Sequence, residues 1–140
     1  MATRTETQVL WGGASSVTLT LNNTRSVSDA VAVAAAAWDG DLYLSAQNLG
    51  TPAAGDVVYF YIHYSAGDAD GDTVGDFATN EYAEFLCALN TVPAETPGEN
   101  PAARVIPIRV TAGAFKVSCQ GAQVASRSIT CRARLVTHES

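Results

Sequence analysis

The chain has 140 residues, 47% of them hydrophobic, and 14 acidic against 8 basic side chains give a net charge of −6. That is the length of one domain with enough apolar material for a real core, which excludes an intrinsically disordered chain. No apolar run approaches the roughly 20 residues of a membrane helix, and an acidic total argues against general nucleic-acid binding, where phosphate needs a basic field.

The charge is unevenly spread. Between Arg25 and Arg104 there is no Lys or Arg, while twelve carboxylates fall there; from Arg104 onward six basic residues stand against Glu139 alone. An acidic middle and a basic C-terminal third suit a protein whose ends meet different partners, or copies of itself head to tail. Ordinary solvation of a charged surface accounts for the same distribution.

In chain order, the polar start Met1–Glu6 lacks the apolar segment of a secretory signal and is expected of a cytosolic chain, with residues 1–7 forming a short arm. Thr5 to Trp11 reads as a strand closed by Gly12-Gly13. Ser16 to Leu21 alternates strictly, with Val17, Leu19 and Leu21 inward, and Asn22-Asn23-Thr24 is a turn signal. Asp29 to Trp38 is ambiguous: Val31 and Val33 alternate as in a strand, while Ala34 to Ala37 favours helix. It is read as a strand because Asp39-Gly40-Asp41 has the form of a tight turn leading into Leu42 to Ala46.

The most informative stretch is Asp56-Val57-Val58-Tyr59-Phe60-Tyr61-Ile62-His63-Tyr64. Four aromatics and three β-branched aliphatics without Gly or Pro fit a pleated surface. Alternation places Val58, Phe60, Ile62 and Tyr64 on one face and Val57, Tyr59, Tyr61 and His63 on the other. Neither face is polar, so both need cover. The second face is covered either by the protein's own loops or by another copy. In the latter case Tyr59, Tyr61 and His63 form an oligomer interface, with the tyrosines as aromatic anchors.

Ser65 to Asn80 is rich in Gly and Asp, and Tyr82 to Asn90 is the next apolar element, with Ala83, Phe85, Cys87 and Leu89 on one face. Val92 to Ala103 carries three prolines and reads as an exposed loop. Three strands follow: Arg104 to Val110, Ala114 to Gln120 and Ser128 to Val136. Pro107 cannot donate to a ladder, which places the first of them at an edge or a bulge. Eight or nine short strands with frequent turn signals predict an all-β fold, an antiparallel β-sandwich of jelly-roll type.

Signals for chemistry are sparse. Cys87, Cys119 and Cys131 make neither a disulfide framework nor a Cys-x-x-Cys zinc site; Cys119 and Cys131 read as buried side chains that approach each other if their strands form a hairpin. His138 lies near a frayed end, and Glu81 and Glu84 form no acid–base pair. No hydrolase, P-loop or dinucleotide motif is present. Asp68, Asp70 and Asp72 around Gly71 could wrap a calcium ion with oxygen ligands, although Thr73 and Thr79 stand where an EF-hand has Gly and Glu. A carbohydrate-binding or fibre module, with Trp11, Trp38, Tyr43 and Tyr59 as stacking platforms, is the alternative functional reading.

Three stretches, Asp56 to Asp68, Glu84-Phe85-Leu86-Cys87-Ala88-Leu89 and Val105-Ile106-Pro107-Ile108, together resemble the jelly-roll decoration, or cement, proteins of tailed-bacteriophage heads. The resemblance lies in the layout of strands and has no catalytic motif. It implies a non-enzymatic protein without a cofactor that binds the outside of an assembled capsid, often as a dimer or trimer, and clamps major capsid subunits. On that reading the arm, with Arg4, and the outward residues Lys116, Arg132 and Arg134 dock on the capsid, and assembly takes place in a bacterial cytoplasm.

Overall fold

In this computed structural model the described residues are 3–19, 25–48, 57–65, 77–90, 92–93, 104–110, 114–122 and 128–139. They form eleven strands: β1 (Thr3–Gln8), β2 (Val17–Leu19), β3 (Arg25–Val27), β4 (Val31–Ala32), β5 (Ala37–Asn48), β6 (Val57–Tyr64), β7 (Glu84–Asn90), β8 (Val92–Pro93), β9 (Arg104–Pro107), β10 (Ala114–Ala122) and β11 (Ile129–Glu139). β1 and β2 both pair with β11, at different heights, and so share one lane of the first sheet. β8 and β9 likewise share the lane beside β5, and β3 and β4 share the lane beside β10.

The first sheet therefore runs β1/β2–β11–β5–β8/β9 and the second β3/β4–β10–β6–β7. The chain changes sheet at every step between lanes except the step from β6 to β7. Eight lanes wound in this way are a jelly roll. The expected all-β sandwich is present, with three of its eight lanes each broken into two pieces.

The core lies between the inner faces. Val58, Phe60 and Ile62 of β6 are fully buried, as are Leu42, Leu44 and Ala46 of β5, Val117 and Cys119 of β10, and Ile129 and Cys131 of β11. Burying each large side chain stabilises the fold by about 1.5–3 kcal/mol. The turn at Gly12-Gly13 is a two-residue hairpin: both glycines have positive φ (57° and 84°), as the mirror-image turns that match strand twist require. Trp11 and Ala14 exchange backbone hydrogen bonds across it, and both glycine N–H groups donate to the Asp29 carboxylate at 3.0 and 2.9 Å.

Four expectations need correction. Asp39-Gly40-Asp41 is not a turn but lies within β5; the chain turns at Ala35-Ala36, and only Val31–Ala32 of the preceding segment is strand. Gly40 suits this strand because the Val110 side chain fills the place of a Cβ. The polar arm is, from Thr3 onward, an edge strand paired with β11 as far as Glu139. His138 is accordingly not frayed: its Nδ1 lies 2.7 Å from Asp39 Oδ1, and its ring meets Trp38 at 5.7 Å. Phe85 does not share the inner face of Cys87 and Leu89, because a bulge between β6 and β7 turns it outward. Pro107 stands on β9, which pairs only with β5 among the described strands and is thus an edge strand.

Candidate interaction faces

Each sheet turns one face to the core and one outward, and the residues singled out in the sequence divide between the two outer faces. On the first sheet, Arg132 and Arg134 alternate with the inward Cys131, Ala133 and Leu135 of β11. Arg134 is paired in register with Tyr43 and Gln8, and Arg4 with His138, so these side chains share the outer face. Glu6 ties two of the arginines together, 2.7 Å from Arg4 and 3.7 Å from Arg134. The guanidinium of Arg134 also stands 4.8 Å from the centre of the Tyr43 ring. Arg132 meets the neutral Oε1 of Gln47 at 3.5 Å and, among the described residues, no carboxylate.

Trp38 extends this face. β5 and β11 slip register between His138 and Glu139, leaving Trp38 without an opposite residue and 57% exposed. Val105, opposite Tyr43, is exposed as well. The outer face of the first sheet thus carries the arginine ladder among the acidic Glu6, Asp39 and Asp41, with Trp38, Tyr43 and Val105 as apolar neighbours.

Lys116 is not part of it. It lies on β10 opposite His63, on the outer face of the second sheet. Of the four basic residues expected to dock, the structure brings Arg4, Arg132 and Arg134 together and puts Lys116 on the other side of the sandwich.

The outer face of the second sheet has two halves. At one end Tyr59 and Tyr61 are half-buried, and Phe85 packs against both rings, edge-on to Tyr61 at 5.8 Å and tilted to Tyr59 at 6.4 Å. Phe85 is itself 58% exposed. Arg25 lies 3.9 Å over the centre of Tyr61, held by the Asn80 carbonyl oxygen and Gln120 Oε1. The alternation of Tyr82 to Asn90 puts Phe85 on the face of Cys87 and Leu89; the apolar doublet Phe85-Leu86 is the sign in the sequence that the period breaks there.

At the other end His63 lies beneath the surface, not on it. Its Nδ1–H donates to the Ala78 carbonyl oxygen at 2.7 Å, and the buried Ser118 hydroxyl donates to Nε2 at 2.7 Å. The protein's own Phe77–Asn80 segment therefore covers this half of the strand, while the tyrosine half stays open. Burial lowers the His63 pKa below the usual 6.5 and outweighs the raising effect of the Ala78 bond; Arg25 and Lys116 lower it further.

Elsewhere, Cys131 and Cys119 meet across the core from opposite sheets, not through a hairpin, and the hydrogen bond that the Cys131 thiol makes to Cys119, together with burial, raises the Cys131 pKa well above its usual value. Glu84 pairs with Arg109 at 3.5 Å, both exposed. Among the described residues no group of three His, Cys, Asp or Glu side chains is placed to hold a metal. Asp68, Asp70 and Asp72 lie outside the described residues.

No family model matches the chain, and no curated protein matches it. Among solved structures it is similar to a chain in the structure of the infectious bursal disease virus Gx strain, at 11% identity and a TM-score of 0.49. It is also similar to a chain in the structure of T=1 particles derived from infectious bursal virus, at 16% identity and a TM-score of 0.33. Each match covers 99% of this chain, which spans about a third of the length of those chains (32% and 29%). A likeness of this degree carries no argument about activity, partners or assembly.

Proposed function

We propose that this chain is a non-enzymatic virion structural protein that binds the exterior of a bacteriophage capsid and clamps neighbouring major capsid subunits. The observation that carries the reading is the arginine ladder of Arg4, Arg132 and Arg134 on one outer face of a protein of net charge −6. Guanidinium forks engage carboxylates bidentately, and Arg132, which among the described residues meets the neutral Gln47 amide and no carboxylate, is the one best placed to take a partner's carboxylate. Trp38, Tyr43 and Val105 border the ladder as apolar contacts.

A clamp of this kind works by mass action. Anything that binds the mature lattice and not its separated subunits stabilises the lattice, and repetition over a shell makes weak contacts sufficient. On this reading the protein acts as a dimer or trimer on the capsid exterior after assembly in the host cytoplasm, needs no cofactor, and contacts neither nucleic acid nor membrane. Self-association uses the second sheet, through Tyr59 and Tyr61.

Co-sedimentation with expanded heads tests the proposal. The wild-type chain is expected to pellet with heads and raise their heat tolerance. The double reversal Arg132→Glu and Arg134→Glu is expected to abolish pelleting, while Lys116→Glu, on the opposite side, retains it. Absence of wild-type binding overturns the reading; equal loss in both variants overturns the assignment of the face.

A further inference from the structure

A shallow, open groove of ≈ 480 Å³ lies on the outer face of the second sheet, where Phe77–Asn80 crosses β10, and Val27, His63, Phe77, Thr79, Asn80 and Lys116 line it. Its size lies in the range of small-molecule sites, about 300–1,000 Å³. Neither the arginine ladder nor the tyrosine patch uses it.

Its electrostatics are opposite to those of the whole chain. Lys116 Nζ rests 4.8 Å from the centre of the Phe77 ring, and Arg25 stands just behind the rim on Tyr61, bonded to the Asn80 carbonyl oxygen. Among the described residues, neither cation forms an ion pair with a carboxylate, and no carboxylate lines the groove. Both cations also lower the proton affinity of His63, after the larger effect of its burial. His63 itself, with both ring nitrogens engaged, adds no charge in its neutral form.

We infer that this groove binds an acidic sugar, a hydroxylated ring bearing one carboxylate. The Lys116 ammonium takes the carboxylate. The Thr79 hydroxyl and Asn80 amide meet ring hydroxyls, and Val27, 42% exposed, offers an apolar wall for the C–H face alongside Phe77. Phosphate fits less well, because phosphate sites are built from converging backbone N–H groups, whereas the backbone groups bonded at this rim, Ala78 and Asn80, present carbonyl oxygens. A lone acidic side chain would leave most of the volume unfilled. The inference is independent of the capsid clamp: a chain that fails to bind heads is still expected to bind the sugar.

Amide chemical-shift titration of the full chain tests it, with glucuronic acid and N-acetylneuraminic acid as probes and glucose, propionate and inorganic phosphate as controls. The expected result is shifts centred on Lys116, Thr79 and Asn80, with at least one acidic sugar bound about tenfold more tightly than each control, a difference set by pairing a charge and filling the groove together. Added salt is expected to weaken binding, and Lys116→Gln to reduce it about tenfold. Should Lys116→Gln fail to fold, the exposed rim pair Thr79→Ala with Asn80→Ala provides the same comparison. Absence of shifts, or equal binding of glucose, propionate or phosphate, overturns the proposal.

Discussion

The Ser118 hydroxyl donates to Nε2 of His63 at 2.7 Å, and with the bond from Nδ1–H to the Ala78 carbonyl oxygen this fixes the ring as one neutral tautomer. A histidine whose folded pKa lies below its ordinary 6.5 binds fewer protons folded than unfolded between those two values. Its stabilising contribution is complete above about pH 6.5 and is lost as pH falls through the folded value. The melting temperature is therefore expected to drop on acidification below about pH 6.5, and His63→Gln to flatten that part of the profile. At neutral pH the same variant is expected to cost about 1–3 kcal/mol, because it disturbs two buried hydrogen bonds at once. Parallel thermal melts of the two proteins check both effects; identical pH slopes would reject the role given to His63.

Gly40 is read as a packing requirement within β5. A Cβ there meets Val110 Cγ1 and then Leu135 and Thr137 at ordinary contact distance. Gly40→Ala is expected to destabilise by about 1–3 kcal/mol through overpacking. Adding Val110→Ala is expected to recover part of that loss, because the two side chains compete for one space. Urea denaturation of the two single variants and the double variant gives the coupling directly, and strictly additive losses would count against the account.

The three thiols are buried, and burial raises the Cys87 pKa against the opposing pull of Arg104, while Cys131 is raised by the hydrogen bond its thiol donates to Cys119 and by burial. Since the thiolate is the reactive form, a disulfide reagent is expected to label none of them in the native protein and all three in denaturant. The native labelling rate is expected to follow global unfolding. Fast labelling of any one without denaturant would show a local opening that the fold does not suggest.

What was legible in the sequence was whatever a side chain's period or chemistry decides locally. Val58, Phe60 and Ile62 announce a core strand, Gly12-Gly13 the close of the first strand, and Pro107 an edge or a bulge. The failures came where tertiary neighbours decide. Gly40 resembles a turn residue between two aspartates, yet the space it leaves is filled by Val110, seventy residues later in the chain. Phe85 has the parity of a core residue until a bulge inverts it. Lys116 and Arg132 look equivalent as outward cations, but they stand on opposite sheets, and nothing local encodes which lanes share a layer.

Phe85 also sharpens the prediction for self-association. Tyr61 is held from two sides, by Phe85 edge-on and by Arg25 above it, so it is a rigid anchor that has little side-chain freedom left to lose on association. Arg25 over the ring contributes about 0.5–2 kcal/mol to the folded chain, one part of the stability lost when the half-buried ring is removed. Tyr61→Ala and Phe85→Ser are each expected to weaken dimer or trimer formation about tenfold or more, as loss of a buried aromatic anchor does, while the melting temperature of the monomer falls only slightly. Sedimentation velocity over a concentration series measures the first effect and thermal melts the second. If neither variant changes the sedimentation profile, the tyrosine half of the second sheet is an open surface and not an interface between copies.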